Sequence, residues 1–209
     1  MFAELNELLN ASPQRPETGK FTLLRDTRTD GSFLVHHFLS FYLRAGCKVC
    51  FVALLQSFSH YNIIAQKLVS LTPASSDSWK GPVLLVDDLS VLLSLGATPV
   101  AVLDFIHYCR VVVCSQLKGN VVVLVHSNED SEDEENELVV NSLCHHSDLI
   151  LWVKGLATGF CKDVHGQIKI TRRVSLELTG EQDVVQIYQY KIQDKNVTFF
   201  ARGLSAAVL

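Results

Sequence analysis

The sequence predicts one α/β domain, a mostly parallel sheet flanked by helices and closed by C-terminal antiparallel hairpins. Three observations lead there. Short all-apolar runs of strand length alternate with helix-period segments, which is the pattern of strands covered on both faces in a parallel sheet. The texture then changes beyond Gly155 to alternating segments around turn-like residues, which reads as hairpins. Finally, 209 residues with 48% apolar side chains and a mean hydropathy of +0.22 can bury a substantial core, whereas disordered chains combine low hydropathy with high net charge.

The elements follow in chain order. Phe21-Thr22-Leu23-Leu24 reads as a strand, followed by a polar turn from Arg25 to Gly31, with Ser32 as the cap of a helix. On that helix Leu34, Phe38 and Phe41 recur at spacings of four and three beside Val35, Leu39 and Tyr42, so one broad face is apolar. Gly46 ends it. The run from Lys48 to Leu55 reads as a second strand covered on both faces, and Ile63, Ile64 and Leu68 mark a helix after Ser59. Residues 72–82 form a Ser/Pro/Gly-containing linker into the strand Val83-Leu84-Leu85-Val86. Pro99 starts a helix reaching about Leu117, stopped by Gly119-Asn120. Val121 to Val125 is another buried strand, and an acidic loop over 128–137 precedes a short helix near Glu137 to Cys144 and a strand from Leu149 to Val153. Val164 to Gln167 and Gln193 to Asn196 are the turns of the hairpins, and 1–209 is expected to fold as a single domain, with the short linker 72–82 and the acidic loop 128–137 inside it.

Charge and cysteine content exclude several classes. The formal charge is −4, from 18 basic and 22 acidic residues, but seven of the acids lie between Glu129 and Glu137. The remainder is slightly basic, so no whole-protein field repels nucleic acid. Six cysteines at irregular spacing do not make a disulfide scaffold, and the N-terminus lacks the basic and apolar regions of a signal peptide. The apolar stretch from Val83 to Phe105 is broken by Asp87, Asp88, Gly96, Pro99 and Asp104, so a membrane span is not expected.

Right-handed crossovers in such a sheet place the ligand edge at the strand C-terminal ends. Two of those edges carry signals. The first strand leads through Asp26-Thr27-Arg28-Thr29-Asp30-Gly31-Ser32-Phe33 into a helix, the place of a phosphate-binding loop G-x-x-x-x-G-K-[ST]. In that motif backbone N–H groups curl around phosphate, the lysine reaches the β and γ phosphates and the hydroxyl residue binds magnesium. Here only Gly31 remains: Asp26 replaces the first glycine, Ser32 the lysine and Phe33 the hydroxyl residue. Two acids, Asp26 and Asp30, would face a polyanion. The alternative is an ordinary strand-to-helix turn.

The second edge is Val83-Leu84-Leu85-Val86-Asp87-Asp88, four apolar residues and then the acid that holds magnesium in P-loop ATPases. Its bland counterpart is a helix start, with Asp88 accepting N–H bonds that open the helix containing Leu89, Leu92 and Leu93. Both edges are therefore degenerate, and the residues point to a P-loop ATPase fold with no catalytic residues, cofactor or metal of its own. Cys47-Lys48-Val49-Cys50 has the spacing of half a zinc site, but the nearest further ligands are the distant Cys144, His145 and His146, and Cys50 is expected to be a buried apolar thiol. His36-His37 on the apolar helix is expected to be packed or at an interface. The acidic run is expected to be a solvated loop. No nucleophile elbow is present.

Longer strings are more specific. The segments Thr29-Asp30-Gly31-Ser32-Phe33-Leu34-Val35-His36-His37-Phe38-Leu39 and Cys50-Phe51-Val52-Ala53-Leu54-Leu55-Gln56-Ser57-Phe58-Ser59-His60-Tyr61 closely resemble the vertebrate Elongator subunit 6 family. So do Leu85-Val86-Asp87-Asp88-Leu89-Ser90, Gly159-Phe160-Cys161-Lys162-Asp163-Val164-His165-Gly166 and Tyr190-Lys191-Ile192-Gln193-Asp194-Lys195. The resemblance covers nearly the whole chain. It implies a RecA-like fold without functional ATPase motifs, and a hetero-hexameric ring formed with Elongator subunits 4 and 5. That ring is an accessory to the Elongator catalytic subcomplex in tRNA wobble-uridine modification and contacts tRNA. With no signal peptide or membrane span expected, the compartment is expected to be the cytoplasm, with the nucleus as a second. One departure stands out: family members carry a considerably longer segment, with further helix and strand, between the Leu68 helix and the Pro82 strand. An atypical nucleotide-binding ATPase subunit of the same fold and a free-standing adaptor are the competing readings.

Overall fold

A computed structural model of the chain describes residues 3–68, 80–127, 133–156, 161–173, 183–193 and 196–201. The strands are β1 (Phe21–Thr27), β2 (Cys47–Val52), β3 (Lys80–Val86), β4 (Asn120–His126), β5 (Leu149–Gly155), β6 (Gly166–Arg172), β7 (Val184–Ile192) and β8 (Val197–Ala201). They form one eight-stranded sheet in the order β2-β3-β4-β1-β5-β6-β7-β8. The first five positions in that order are parallel and the last three strands are added antiparallel. This matches the change of sequence texture at Gly155.

The helices are α1 (Ala3–Leu8), α2 (Ser32–Arg44), α3 (Phe58–Leu68), α4 (Ser90–Ser94), α5 (Pro99–Cys109) and α6 (Glu134–His146), with a π-helical continuation of α5 over Arg110–Gln116. Two apolar cores lie on the two sides of the sheet. One joins α1, α2 and Tyr61 of α3 to Leu24, Leu85, Val122, Leu124, Leu151 and Ile168; the other joins α5 and α6 to Phe21, Leu23, Val86, Val121, Val123 and Val125. The alternation of strand residues between the two cores is the period of two that a sheet imposes. Nine of the thirteen α2 residues are buried, including Leu34, Phe38 and Phe41. Gly46 follows α2 with φ +75°, a left-handed conformation that favours glycine at a helix end. Pro99 opens α5, whose cap Thr98 accepts the Ala101 N–H.

Several sequence expectations change. β1 runs three residues past Leu24, because β4 and β5 pair with it as far as Asp26 and Thr27; Asp26 is thus a strand residue and not the first of a turn. Gly31, not Ser32, is the N-cap of α2. β2 is an edge strand, paired only with β3 among the described residues, so its apolar run is half covered and Cys50 is exposed. α6 begins inside the acidic run, three residues before Glu137: Asp133 caps it by accepting the Asn136 N–H, and Glu134, Glu135 and Glu137 sit in the first turn. Negative charge there opposes the positive end of the helix dipole. Residues 128–132 of that run, 72–79 of the linker, Gly159-Phe160 and Asp194-Lys195 lie outside the described residues. Helix α1 was not legible in the pattern; its Leu5 is buried, and Glu4 accepts the N–H of Phe199 on the outer strand β8 at 2.8 Å.

Candidate functional site

Parallel pairing brings the ends of β1, β4 and β3 side by side, with β4 between the other two. Asp26 stands opposite His126 in the register, so the two strands bring these polar side chains to the same edge. The Asp26 carboxyl is buried. One oxygen accepts the Gly31 N–H at 2.8 Å, and the other lies 2.7 Å from Nδ1 of His126. Burial raises the Asp26 carboxyl above the usual range, while the Gly31 hydrogen bond and the imidazole pull against that rise. A Cβ on Gly31 would meet the Cβ of Asp26 at 2.9 Å, so the glycine permits this close approach.

The loop therefore turns its backbone donors onto its own acids. Gly31 N–H goes to Asp26, and Ser32 N–H goes to Oδ1 of Asp30 at 2.8 Å. Phe33, at the position of the magnesium-binding hydroxyl, is buried with its ring centroid 5.2 Å from that of Tyr190. An anion entering this loop would meet two carboxylates where a lysine is required. Beside it, a cleft of about 470 Å³ is lined by Arg28, Thr29, Asp30, Ser32, Phe33, His36, and residues of the β5–β6 and β7 ends. The cleft is open space, lined by one carboxyl, Asp30, and one guanidinium, Arg28.

Asp87 is fully engaged by the protein. Its carboxylate accepts the N–H groups of Leu54 at 2.7 Å, Leu55 at 3.0 Å and Gln56 at 3.3 Å, and the Tyr61 hydroxyl at 2.8 Å. It holds the turn between β2 and α3 in place. Burial and the hydrogen bond to Asp87 both raise the Tyr61 phenol, so it stays a donor. Asp88 is not the cap expected of it: Leu89 is the N-cap of α4 and makes no side-chain cap bond, while Asp88, one residue earlier, accepts the N–H of Ser90 through Oδ1 at 2.9 Å, and burial raises its carboxyl. Ser90 in turn binds the backbone of His126 through its hydroxyl. Next to it Ser127 accepts from Arg25 at 2.7 Å and donates to Glu137 at 3.1 Å, tying the start of α6 to β1.

The sequence-predicted site residues thus fall into two groups: Asp26, Gly31, Ser32 and Phe33 at the end of β1, and Asp87 and Asp88 at the end of β3. Sequence reasoning missed His126 and Tyr61. His126 could have been found from the pairing of β1 with β4; nothing in the spacing announces Tyr61. Cys47 and Cys50 are not brought together: one is buried in the α2 core and the other exposed on the opposite face of β2. Among the described residues no cluster of three or more His, Cys, Asp or Glu side chains is placed to hold a metal ion. His37 is buried, and burial lowers its imidazole to about 3; His36 packs against the rings of His60 and Tyr61.

Comparison with known proteins gives the family and the fold. The family described as Elongation complex protein 6 matches residues 2–78 and 69–194. The chain is 52% identical to Elongator complex protein 6 of Xenopus tropicalis and 53% identical to that of Homo sapiens, covering all of both chains in each case. Each alignment spans 266 positions against 209 residues here, so 57 positions stand opposite gaps. The two matched pieces of the family meet at 69–78, which puts the break between α3 and β3, where the resemblance placed it. Among solved structures, an uncharacterized protein of Pyrococcus horikoshii in complex with an unknown peptide matches with TM-score 0.61 at 9% identity, over 97% of this chain and 98% of that one. A DnaB-like replicative helicase matches with TM-score 0.56 at 10% identity, over 94% of this chain and 61% of that one. The fold is therefore RecA-like, and on its identity to full-length relatives the chain belongs to the Elongator complex protein 6 family.

Proposed function

We propose that the chain is a non-catalytic subunit of Elongator, assembled with subunits 4 and 5 into a hetero-hexameric accessory ring that supports tRNA wobble-uridine modification. The observation that carries the reading is the identity over the whole length of relatives named Elongator complex protein 6. The site geometry supports its non-catalytic part. The Asp26 carboxyl takes the Gly31 N–H, Phe33 is turned into the core and Asp87 accepts from four donors, which supports reading the phosphate loop and the acidic strand end as degenerate. The partners are the Elongator catalytic subcomplex and, through the ring, tRNA. The compartment is the cytoplasm, with the nucleus as a second. No described helix is long and apolar enough to cross a membrane.

Co-expression with subunits 4 and 5 should give a stoichiometric assembly. Depleting the chain in cells should lower carbamoylmethyl and methoxycarbonylmethyl groups at wobble uridine, read by mass spectrometry of tRNA nucleosides. Unchanged modification after depletion would sink the assignment.

A further inference from the structure

The two faces of the antiparallel half of the sheet differ. On one side Ile168 and Ile170 of β6, Tyr190 of β7 and Val197 of β8 belong to the core under α1 and α2. On the other side the core made with α5 and α6 reaches Ile150 of β5 and, among the described residues, contains nothing of β6, β7 or β8. Side chains alternate along a strand, so this second face carries Trp152 and Lys154 of β5, Lys169 of β6, Lys191 of β7 and Phe200 of β8. Lys154, Gln167, Gln189 and Phe200 form one row in register across the four strands, and Trp152 stands opposite Lys169 in the next row. Trp152, Lys154, Lys169 and Phe200 are partly buried, and Ile187 beside Lys169 is 48% exposed. The described strand residues of this face include no carboxylate; Asp163, in the loop before β6, pairs with Lys191 at 3.0 Å.

Trp152 is fixed in place. Its Nε1 donates to Oγ1 of Thr27 at 3.0 Å, and the Arg25 guanidinium carbon and the Lys154 Nζ lie 4.2 and 4.5 Å from its ring centroid. Arg25 is held by Ser127 at 2.7 Å and Glu137 at 3.8 Å, whereas Lys154 swings on a flexible four-carbon stem. Three strand spacings of about 4.8 Å separate β5 from β8, so Phe200 lies roughly 14 Å from the Trp152 end of the face. A fitting partner carries repeated negative charge for the lysines and flat rings for the aromatics. An acidic peptide offers the charge without the rings, and a duplex keeps its rings stacked inside. A single strand offers both, and four-stranded sheets with aromatics of this kind stack two or three bases. We propose that the β5–β8 face binds single-stranded RNA, with bases on Trp152 and Phe200 and with Lys154, Lys169 and Lys191 on the phosphates. A base stacking on Trp152 takes the place of the Lys154 ammonium, which moves to the adjoining phosphate. This deepens the tRNA contact of the reading above and takes from it only the choice of RNA over DNA.

The probe is end-labelled oligouridine of about ten nucleotides carrying one 4-thiouridine, added to the full chain. Fluorescence anisotropy gives the affinity, and irradiation followed by peptide mass spectrometry gives the contact. Crosslinks should fall in the peptides holding Trp152, Lys169 or Phe200. Lys154→Glu with Lys169→Glu should weaken binding at least tenfold and lower the salt slope by about 1.4, at about 0.7 for each phosphate contact on a single strand. Trp152→Ala and, on the outer strand, Phe200→Ala, each shown by its melting curve to be folded, should weaken binding at least fivefold with the salt slope unchanged. Lys48→Glu with Lys67→Glu makes the same charge change on β2 and α3 and should cost less than threefold. The proposal is overturned by absent binding, by crosslinks confined to other elements, by equal losses in the two lysine pairs, or by equal competition from a duplex of the same length or from polyglutamate. The polyglutamate result would make an acidic segment the occupant. Each of these failures leaves the ring assignment to its own test by co-expression and wobble-uridine modification, and unchanged modification alongside crosslinks at Trp152 would sink the ring and keep the surface.

Discussion

Replacing Asp87 by alanine should destabilise the chain severely, whatever its effect on nucleotides. The substitution removes the acceptor of three backbone N–H groups, at Leu54, Leu55 and Gln56, and of the Tyr61 hydroxyl. Tyr61 is only 5% exposed, so its phenol loses a partner that water cannot replace. That alone costs about 1–3 kcal/mol. The three N–H groups belong to a partly exposed turn and recover some hydration, so their charged hydrogen bonds contribute roughly 1 kcal/mol each. The sum is about 4–6 kcal/mol, which for a chain of this size lowers the melting temperature by about 10–20 °C. Asp87→Asn keeps one acceptor oxygen and should lose roughly half as much. Urea and thermal unfolding followed by circular dichroism give both values. A loss under about 1 kcal/mol for Asp87→Ala would refute the view of Asp87 as the anchor of the β2–α3 turn. It also follows that failed rescue by Asp87→Ala in cells would report misfolding, so Asp87→Asn is the better variant for asking whether the acid is catalytically idle.

Other outcomes follow from the same geometry. Exchanging 129–132 for Gly/Ser should leave the melting temperature nearly unchanged. Extending the exchange through Glu137 removes the Asp133 cap and the Glu137 bond to Ser127, and should cost about 1–2 kcal/mol in denaturant unfolding. His37 titrates at about 3 in the folded chain against 6.5 in the unfolded one, so the unfolded state binds the extra proton between those values and acid destabilises. Lowering pH from 7 to 5 should remove about 2 kcal/mol through this group, and His37→Leu should flatten that part of the stability profile. Expressed alone, the chain should be poorly soluble or oligomerise irregularly by size exclusion, because Leu95, Val100, Phe105 and Tyr108 are exposed apolar side chains; a monodisperse monomer at high concentration would contradict this.

The sequence made the sheet's centre readable because Val121 to Val125 and Leu85-Val86 are apolar at every position, and all are buried. The same signal misled at β2. Cys50-Phe51-Val52 is as apolar as a central strand, but whether an apolar strand is central depends on neighbours that the strand itself does not encode. The degenerate loop was visible as residue types, since Asp26, Ser32 and Phe33 stand where glycine, lysine and a hydroxyl would be. What those residues do was not visible. The Asp26 contact with His126 spans 100 positions and the Asp87 contact with Tyr61 spans 26, and both depend on strand order and turn geometry. The acidic run showed only its charge; that its second half opens α6 depends on where Val139, Val140 and Leu143 meet the sheet.

The most direct test is isothermal calorimetry of magnesium-ATP with the purified full chain. A loop filled by Asp26 and lacking a lysine should bind no tighter than about 1 mM, near −4 kcal/mol. Micromolar, magnesium-dependent binding would contradict the account of this edge as a structural junction and restore the chain to the nucleotide-binding members of its fold.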